Sequence, residues 1–197
     1  DLQESRVHPV TGKLLPGQAL GLGDLALVVG KDEVLAARVQ IDLLAEGDEG
    51  RQLPHPPPVE AHNRPIVLFV TVCVVDPTFK LATPESHDHL LTAWARGDQW
   101  RVGSYTIMPD HVHFFCVPGV VHPVNIKMWN KFWKGQFRRL AGVNRTIWQR
   151  DGWDTQLRDH DHYVEKRSYV RENPVRRGLA AQWQDWPYQG EVHVIEW

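Results

Sequence analysis

The chain has 197 residues, of which 42% are hydrophobic and 23% charged, and its formal net charge is −2. This composition is typical of a globular protein, and two cysteines are too few for a disulfide framework. No apolar run reaches the roughly 18 residues of a membrane span, and no signal segment opens the chain. We therefore expect a cytoplasmic protein with no membrane partner, and we expect Cys73 and Cys116, which lie in apolar runs, to be buried free thiols.

The chain divides into two unequal parts near residue 64. Residues 1–64 carry six Lys or Arg, ten Asp or Glu and no aromatic residue, and they end in a Pro-rich stretch, Leu53–Pro58. Every Phe, Tyr and Trp lies at or after Phe69, and aromatic side chains dominate core burial. The sequence predicts a poorly ordered extension with a Pro-rich linker over residues 1–63 and a packed domain over residues 64–197.

Hydrophobic patterning and turn residues predict seven elements in the packed domain. They are a strand over 65–76, a helix over 85–98, strands over 100–108 and 111–117, a helix over 123–141, a short strand within 146–153 and a helix over 159–173. We expect the last helix to end at Asn173, because Pro174 disfavours a helical conformation in the residue before it. The first six elements follow the ferredoxin-like order and predict an α+β fold with an antiparallel sheet and helices packed on one face.

The third strand contains His111-Val112-His113. Alternate residues of a strand share a face, so the two imidazoles lie together while Val112 and Phe114 point into a core. Neighbouring histidines form half of a divalent-metal site. The alternative is a pair of surface or hydrogen-bonded histidines without a metal.

A basic segment follows over residues 125–150, which contain no Asp or Glu. Its cations are Lys127, Lys131, Lys134, Arg138, Arg139, Arg145 and Arg150. The first four have the spacing of a single helix face, and Trp129, Phe132, Trp133 and Phe137 alternate with them. The pattern indicates nucleic-acid binding through phosphate neutralisation and base stacking. The alternative is an amphipathic helix with solvated cations, and for Phe132 and some of the tryptophans we favour a core position.

The last helix carries two tyrosines, Tyr163 and Tyr169, and a tyrosine hydroxyl can act as a covalent nucleophile. Attack on a phosphodiester would require a metal ion to offset the developing charge. Tyr169 and Asn173 are four residues apart and therefore share a helix face. An Asn173 carbonyl could complete a metal site begun by the histidines. The alternative for either tyrosine is a half-buried structural position.

Four ordered motifs resemble the REP-associated tyrosine transposases, of the insertion-sequence 200-like group of single-tyrosine HUH transposases. They are Met108–Phe115, Trp148–Asp154, Tyr169–Ala180 and Asp185–Gly190, and the resemblance covers residues 64–197. It implies a ferredoxin-like domain that cleaves single-stranded or hairpin DNA, such as REP-like palindromes, with Mg²⁺ or Mn²⁺ and as a monomer or homodimer. It further implies that His111 and His113 bind the metal, that Asn173 occupies the place of a third ligand that is usually Gln, and that Tyr169 forms a 5′-phosphotyrosine link.

The sequence departs from the family pattern at Gly152, where an aromatic residue is expected, and at Arg177, where Ala is common. We expect neither departure to touch the chemistry. Tyr169 is preferred over Tyr163, which turns away from the face of Asn173 and has Arg167 instead of an amide four residues later. Two other functions stay open, a hairpin-binding protein that no longer cleaves and a metal phosphoesterase with a water nucleophile.

Overall fold

The computed structural model describes residues 65–197, so the expectation for residues 1–63 lies outside the described part. Five strands and three long helices follow one another in this part. Their order is β1 Leu68–Cys73, α1 Pro84–Ala95, β2 Trp100–Ile107, β3 His111–Pro118, α2 Ile126–Leu140, β4 Trp153–Gln156, α3 His160–Arg176 and β5 Gln189–Glu191, with a short 3-10 turn at Trp183–Asp185. The strands form one antiparallel sheet in the order β4-β1-β3-β2-β5. The predicted α+β fold with a ferredoxin-like sheet is confirmed.

The sheet is buried on both faces. On one face, Val112 and Phe114 pack with Trp94 of α1 and with Trp129 and Trp133 of α2. The prediction that Val112 and Phe114 enter a core is therefore confirmed, as is the burial of both cysteines as free thiols. Helices α1 and α2 are the two that the ferredoxin-like order assigns to a single face.

Helix α3 packs on the opposite face of the sheet. Its Tyr163 and Val170 join a second cluster that contains Phe69 of β1 and Phe115 of β3. Alternation along β3 puts His111 and His113 on this same face as Phe115. The C-terminal helix therefore covers the face that carries the histidine pair.

The end of α3 differs from the prediction, because the helix continues past Asn173 and Pro174 to Arg176. Proline in the last turn removes a single backbone donor, and the helix ends at Arg176, two residues before Gly178. Gly178 has a φ of 65°, its N–H donates to the Val175 carbonyl, and the Leu179 N–H donates to the Pro174 carbonyl. These bonds form a Schellman motif, for which a glycine in the left-handed conformation is the usual residue.

The strands near the C-terminus also differ from the prediction. The fourth strand begins at Trp153, and Trp148, inside the predicted range, makes only an isolated bridge with Val74. The fifth strand was not predicted, because its three residues, Gln189–Glu191, are too few to show alternation. It pairs with β2 and closes that edge of the sheet.

Candidate active site

His111 and His113 meet at their Nε2 atoms, which lie 3.1 Å apart. Both side chains are almost fully buried, with 1% and 2% of their surface exposed. The ring of Phe69 stacks against His113 with the ring centroids 5.4 Å apart. The predicted common face of the two imidazoles is confirmed, and the surface position considered as the alternative is wrong because the rings lie under α3.

Each imidazole is held from behind by a hydrogen bond at Nδ1. Asp110 Oδ1 lies 2.7 Å from His111 Nδ1, and Thr71 Oγ1 lies 2.8 Å from His113 Nδ1. An ionised carboxylate only accepts, so His111 Nδ1 donates and a neutral His111 has its lone pair at Nε2. The Thr71 hydroxyl can either donate or accept, so both tautomers of His113 satisfy this bond. If His113 Nε2 carries a lone pair, the two Nε2 atoms can bind a metal together. If His113 Nε2 carries a hydrogen, it can donate to His111 Nε2.

Electrostatics favour an ionised Asp110 and a neutral His113. Burial alone would raise the pKa of Asp110, but the hydrogen bonds and electrostatic attraction of His111 and Arg177 outweigh it and hold this pKa well below its usual range. Burial is the main cause of a pKa of His113 well below the ordinary value, and the nearby His111, Arg177 and Arg176 lower it further. A neutral imidazole is the form that binds metals.

The donor set fits an octahedral divalent cation. Two neighbouring ligands with bonds of about 2.1 Å lie about 3.0 Å apart around such an ion, and the Nε2 atoms are separated by 3.1 Å. Metal-binding histidines usually donate their second N–H to a carboxylate or another oxygen, as His111 does. Among residues 65–197 no three His, Cys, Asp or Glu side chains converge. Any third protein ligand in this part must therefore be of another residue type, such as Asn173.

Tyr169 and Asn173 lie on α3, the helix that covers the histidine face. Tyr169 is half-buried against the cluster that contains Phe69, the residue whose ring stacks on His113. Asn173 is buried in the next turn, with 3% of its surface exposed. The structure thus brings the helix of Tyr169 and Asn173 to the same side of the sheet as His111 and His113.

Tyr163 occupies the core under the same helix. Only 5% of its surface is exposed, and its ring packs edge-on against Phe115 and tilted against Trp197, with centroid distances of 5.2 and 5.7 Å. These contacts give Tyr163 a structural role in holding α3 on the sheet.

Two arginines at the end of α3 connect the helix to the site, and sequence reasoning missed both. Arg177 Nη1 donates to Asp110 Oδ1 and Oδ2 at 3.3 and 3.2 Å, so Arg177 contacts the residue that is hydrogen-bonded to His111, a position that its departure from the family pattern did not predict. Arg176 lies over the Tyr169 ring, 3.8 Å from its centroid, and donates to the Tyr169 carbonyl at 2.8 Å. The adjacent arginine pair was the available signal in the sequence.

The basic residues of α2 lie in the other layer of the fold. Lys127, Lys131 and Arg139 are exposed and Arg138 is half-buried. Lys127 pairs with Asp151 at 2.9 Å, and Arg138 donates to the Asn144 carbonyl at 3.2 Å. The structure therefore does not bring these cations to the histidine pair, because α2 and α3 cover opposite faces of the sheet.

Lys134 and Phe132 depart from their predicted positions. Lys134 is 8% exposed, and its ammonium donates to the carbonyls of Gln149 and Arg150 at 3.0 and 3.4 Å, so it holds the loop before β4 and is not part of the exposed basic surface. Phe132 was expected in the core but is 40% exposed, because the helix buries the face of Trp129, Trp133 and Phe137. Together with Met128, which is 63% exposed, Phe132 lines the surface beside Lys131.

No described helix has both the length and the apolar character needed to cross a membrane.

Comparison with known proteins finds sequence similarity to REP-associated tyrosine transposases. No family model matches it. It is 25% identical over 100 residues to a REP-associated tyrosine transposase of Escherichia coli K12, covering 51% of this chain and 59% of the relative. It is 28% identical over 112 residues to a Haemophilus influenzae protein that carries the same family name, covering 46% of this chain and 62% of the relative. The chain thus matches about three fifths of the length of these curated relatives.

A solved structure has the same fold. It is the REP-associated tyrosine transposase bound to a REP hairpin, which matches with a TM-score of 0.55 and 20% identity over 66% of this chain and 81% of the other. The resemblance first inferred from the motifs is supported by both comparisons, since the chain is similar to REP-associated tyrosine transposases in sequence and to one of them in fold.

Proposed function

We propose that this protein is a metal-dependent single-stranded DNA endonuclease and strand transferase that acts at hairpin DNA through a 5′-phosphotyrosine intermediate. One observation carries the proposal. The Nε2 atoms of two buried histidines lie 3.1 Å apart on the sheet face that is covered by the helix of Tyr169. Similarity in sequence to a REP-associated tyrosine transposase, and a structural neighbour that is bound to a REP hairpin, support the same substrate class.

Tyr169 is the proposed nucleophile. Its hydroxyl oxygen loses its proton and forms a bond to phosphorus as the bond from phosphorus to the 3′ oxygen breaks, and the 3′ oxygen takes up a proton and leaves as a 3′-hydroxyl. The phosphate stays attached to Tyr169 and to the 5′ end of the other fragment. Attack by a second 3′-hydroxyl reverses the step and joins two strands, so no external energy source is consumed. The core contacts of Tyr163 support the choice of Tyr169.

His111, His113 and Asn173 are the proposed metal ligands, with Mg²⁺ or Mn²⁺ as the ion. A divalent ion held there would polarise a phosphoryl oxygen and offset the charge that develops on the phosphate. Asp110 and Thr71 fix the orientation of the imidazoles through Nδ1. The Arg176 guanidinium over the Tyr169 ring would stabilise the negative charge of a phenolate.

The cations on the surface of α2 are the proposed contacts to the DNA backbone. Lys127, Lys131, Arg138 and Arg139 would contribute affinity that is independent of base sequence. The exposed Met128 and Phe132 provide apolar surface on which unpaired bases could stack. Since this surface lies across the sheet from the histidines, we assign it to binding and not to catalysis.

The experiment is an adduct assay with hairpin DNA that carries a label on the fragment expected to stay on the protein. The protein is incubated with this DNA and Mn²⁺ and run on a denaturing gel beside the Tyr169→Phe and Tyr163→Phe variants. We expect a labelled protein band in the wild type and in Tyr163→Phe but not in Tyr169→Phe. Hairpin binding without any adduct would favour the binding-only alternative, and cleavage that survives in Tyr169→Phe would favour a water nucleophile.

A further inference from the structure

A cavity of about 220 Å³ lies between α3 and the β2–β5 edge of the sheet. Its walls include Ser104 and Thr106 of β2, Arg167 and Arg171 of α3, and Trp183 of the 3-10 turn. A volume below the roughly 300–1,000 Å³ of ordinary small-molecule sites suits a single planar group such as one nucleobase. We call this cavity the β2–α3 pocket.

Two residues that line the β2–α3 pocket each carry a buried polar atom without a partner among the described residues. Ser104 is 7% exposed, and its hydroxyl has no hydrogen-bond partner among the described residues. The Nε atom of Arg167 is buried and equally without a partner in that part of the chain. Leaving such groups unpaired costs free energy. An occupant with hydrogen-bond acceptors that these two wall residues turn towards would supply the missing partners of a hydroxyl and an N–H donor.

The walls also have the charge and the aromatic surface that a nucleotide requires. Arg167 pairs with Glu191 at 3.2 Å, while the Arg171 guanidinium lies 4.9 Å from the centre of the Trp183 ring. Two arginines against one carboxylate leave an excess positive charge in the pocket. Burial, and then repulsion from Arg167, lowers the pKa of Arg171, which an incoming phosphate would relieve. Cationic and aromatic walls together are typical of single-strand DNA sites.

The β2–α3 pocket lies directly beside the histidine pair. Thr106, in its wall, is the cross-strand partner of His113, so the two side chains share a face of neighbouring strands about 4.8 Å apart. A base in the pocket would therefore belong to a nucleotide close to the phosphate at the histidine pair.

We propose that the β2–α3 pocket binds the base of one unpaired nucleotide near the scissile phosphate and so selects the cleavage position. The inference rests on the proposed function, because it takes the histidine pair as the place of the phosphate. The base accepts hydrogen bonds from Ser104 and Arg167, and the Arg171–Trp183 pair contacts its face or the adjoining phosphate. The pocket thus adds sequence selection to the sequence-independent affinity of the cationic surface.

The test uses the full chain in EDTA, so that no cleavage occurs, with a fluorescent hairpin that carries single-stranded flanks on both sides. Each flank position is replaced in turn by an abasic residue, and the dissociation constant is measured by anisotropy. We expect one position to dominate, with a loss of affinity of about five- to 150-fold, the range for one stacked base. An equal and small effect at every position would overturn the proposal.

Variants of the wall residues test whether the β2–α3 pocket causes the loss of affinity at the dominant abasic position. The dominant effect should shrink in Ser104→Ala and in Trp183→Leu and persist in Ser168→Ala, which makes the same change as Ser104→Ala at an exposed position of α3. If the effect is unchanged in both pocket variants, the base is read elsewhere and the proposal fails. For the case that Trp183→Leu does not fold, the wild-type protein is crosslinked by light to a flank containing 5-iododeoxyuridine at the dominant position. The attachment is expected at Trp183, and attachment outside the pocket would contradict the proposal.

Failure of the pocket and failure of the proposed function give different results. A Tyr169 adduct without any position dependence rejects the pocket and leaves the enzyme. A flank base that depends on Ser104 and crosslinks to Trp183, in a protein that forms no adduct with any metal, supports the pocket and rejects the catalysis. A protein that binds no hairpin rejects both.

Discussion

Arg177 binds the carboxylate of Asp110 with one nitrogen shared between its two oxygens, at 3.2 and 3.3 Å. Asp110 in turn accepts a hydrogen bond from His111 at 2.7 Å. The chain of contacts connects the end of the tyrosine helix to the first histidine of the site. It also shows how a residue that departs from the family pattern can become part of the support of the site.

Loss of the Asp110 carboxylate should weaken metal binding. Residues that orient a metal-binding histidine typically contribute about 10- to 100-fold in affinity, so we expect a loss of this order in Asp110→Asn. Arg177→Ala should have a smaller, few-fold effect, because both side chains are partly exposed, at 28% and 27%. Binding is measured from the free Mn²⁺ signal in electron paramagnetic resonance, with the exposed Arg158→Ala as control. Wild-type affinity in Asp110→Asn would show that Asp110 does not support the site.

Substitution of Asn173 by Gln should preserve metal binding, whereas substitution by an apolar residue should weaken it. Gln preserves an amide oxygen, so we expect Asn173→Gln to retain Mn²⁺ binding and adduct formation. Leu has a similar volume and suits the buried position, yet it offers no ligand, and we expect at least about a tenfold loss of Mn²⁺ affinity. Thermal unfolding in EDTA checks that both variants fold. Equal Mn²⁺ affinity in Asn173→Leu and the wild type would remove Asn173 from the ligand set.

The salt dependence of DNA binding should distinguish the exposed cations of α2 from the buried one. Each phosphate contact that is lost reduces the slope of log affinity against log salt by about 0.7 for single strands. We expect this reduction in Lys131→Gln and in Arg139→Gln but not in Lys134→Met, since the Lys134 ammonium is occupied by two carbonyls. An equal reduction in all three variants would mean that Lys134 turns outward to the DNA.

The stability of the protein should depend on pH through Lys134. Burial lowers the pKa of its ammonium to about 8, against an opposing effect of Asp151, whereas an unfolded lysine titrates near 10.4. Between these two values the unfolded chain holds a proton that the folded chain has released, so the free energy of unfolding rises with pH by up to about 1.4 kcal/mol per unit. Below about pH 8 Lys134 is charged in both states, and the cost of burying its charge lowers the free energy of unfolding in full.

Urea unfolding of the wild type and of Lys134→Met from pH 7 to pH 10 isolates this contribution, because the other titrating groups are common to both. The difference should be constant below about pH 8 and then move in favour of the wild type. A difference that does not change with pH would contradict a buried, perturbed Lys134.

The sequence predicted those features that depend on local periodicity. Alternation along His111–Phe115 determines which side chains share a face, and the predicted end of the second helix at residue 141 is followed directly by Gly142, which has a φ of 63°. The position of both histidines on one face of the sheet follows from the same alternation. These features need no knowledge of what packs against the strand or the helix.

The missed features depend on contacts between distant segments. Lys134 has the spacing of an exposed stripe, yet the loop of Gln149 and Arg150 folds over it. Gly152 is explained in the same way. A Cβ atom there would lie 2.8 Å from the Thr71 carbonyl oxygen of β1, so the aromatic residue expected from the family pattern would require the backbone to shift. Neither contact is visible in the local sequence.

The most direct test of the central claim is to identify the residue that carries the DNA. The adduct is digested with nuclease and then with trypsin, which cleaves after Lys and Arg. Tyr163 falls in the peptide 159–166 and Tyr169 in the peptide 168–171, so mass spectrometry separates the two tyrosines without further cleavage. We predict a nucleotide on the peptide that contains Tyr169. A nucleotide on the peptide of Tyr163, or DNA cleavage with neither peptide modified, would contradict the account.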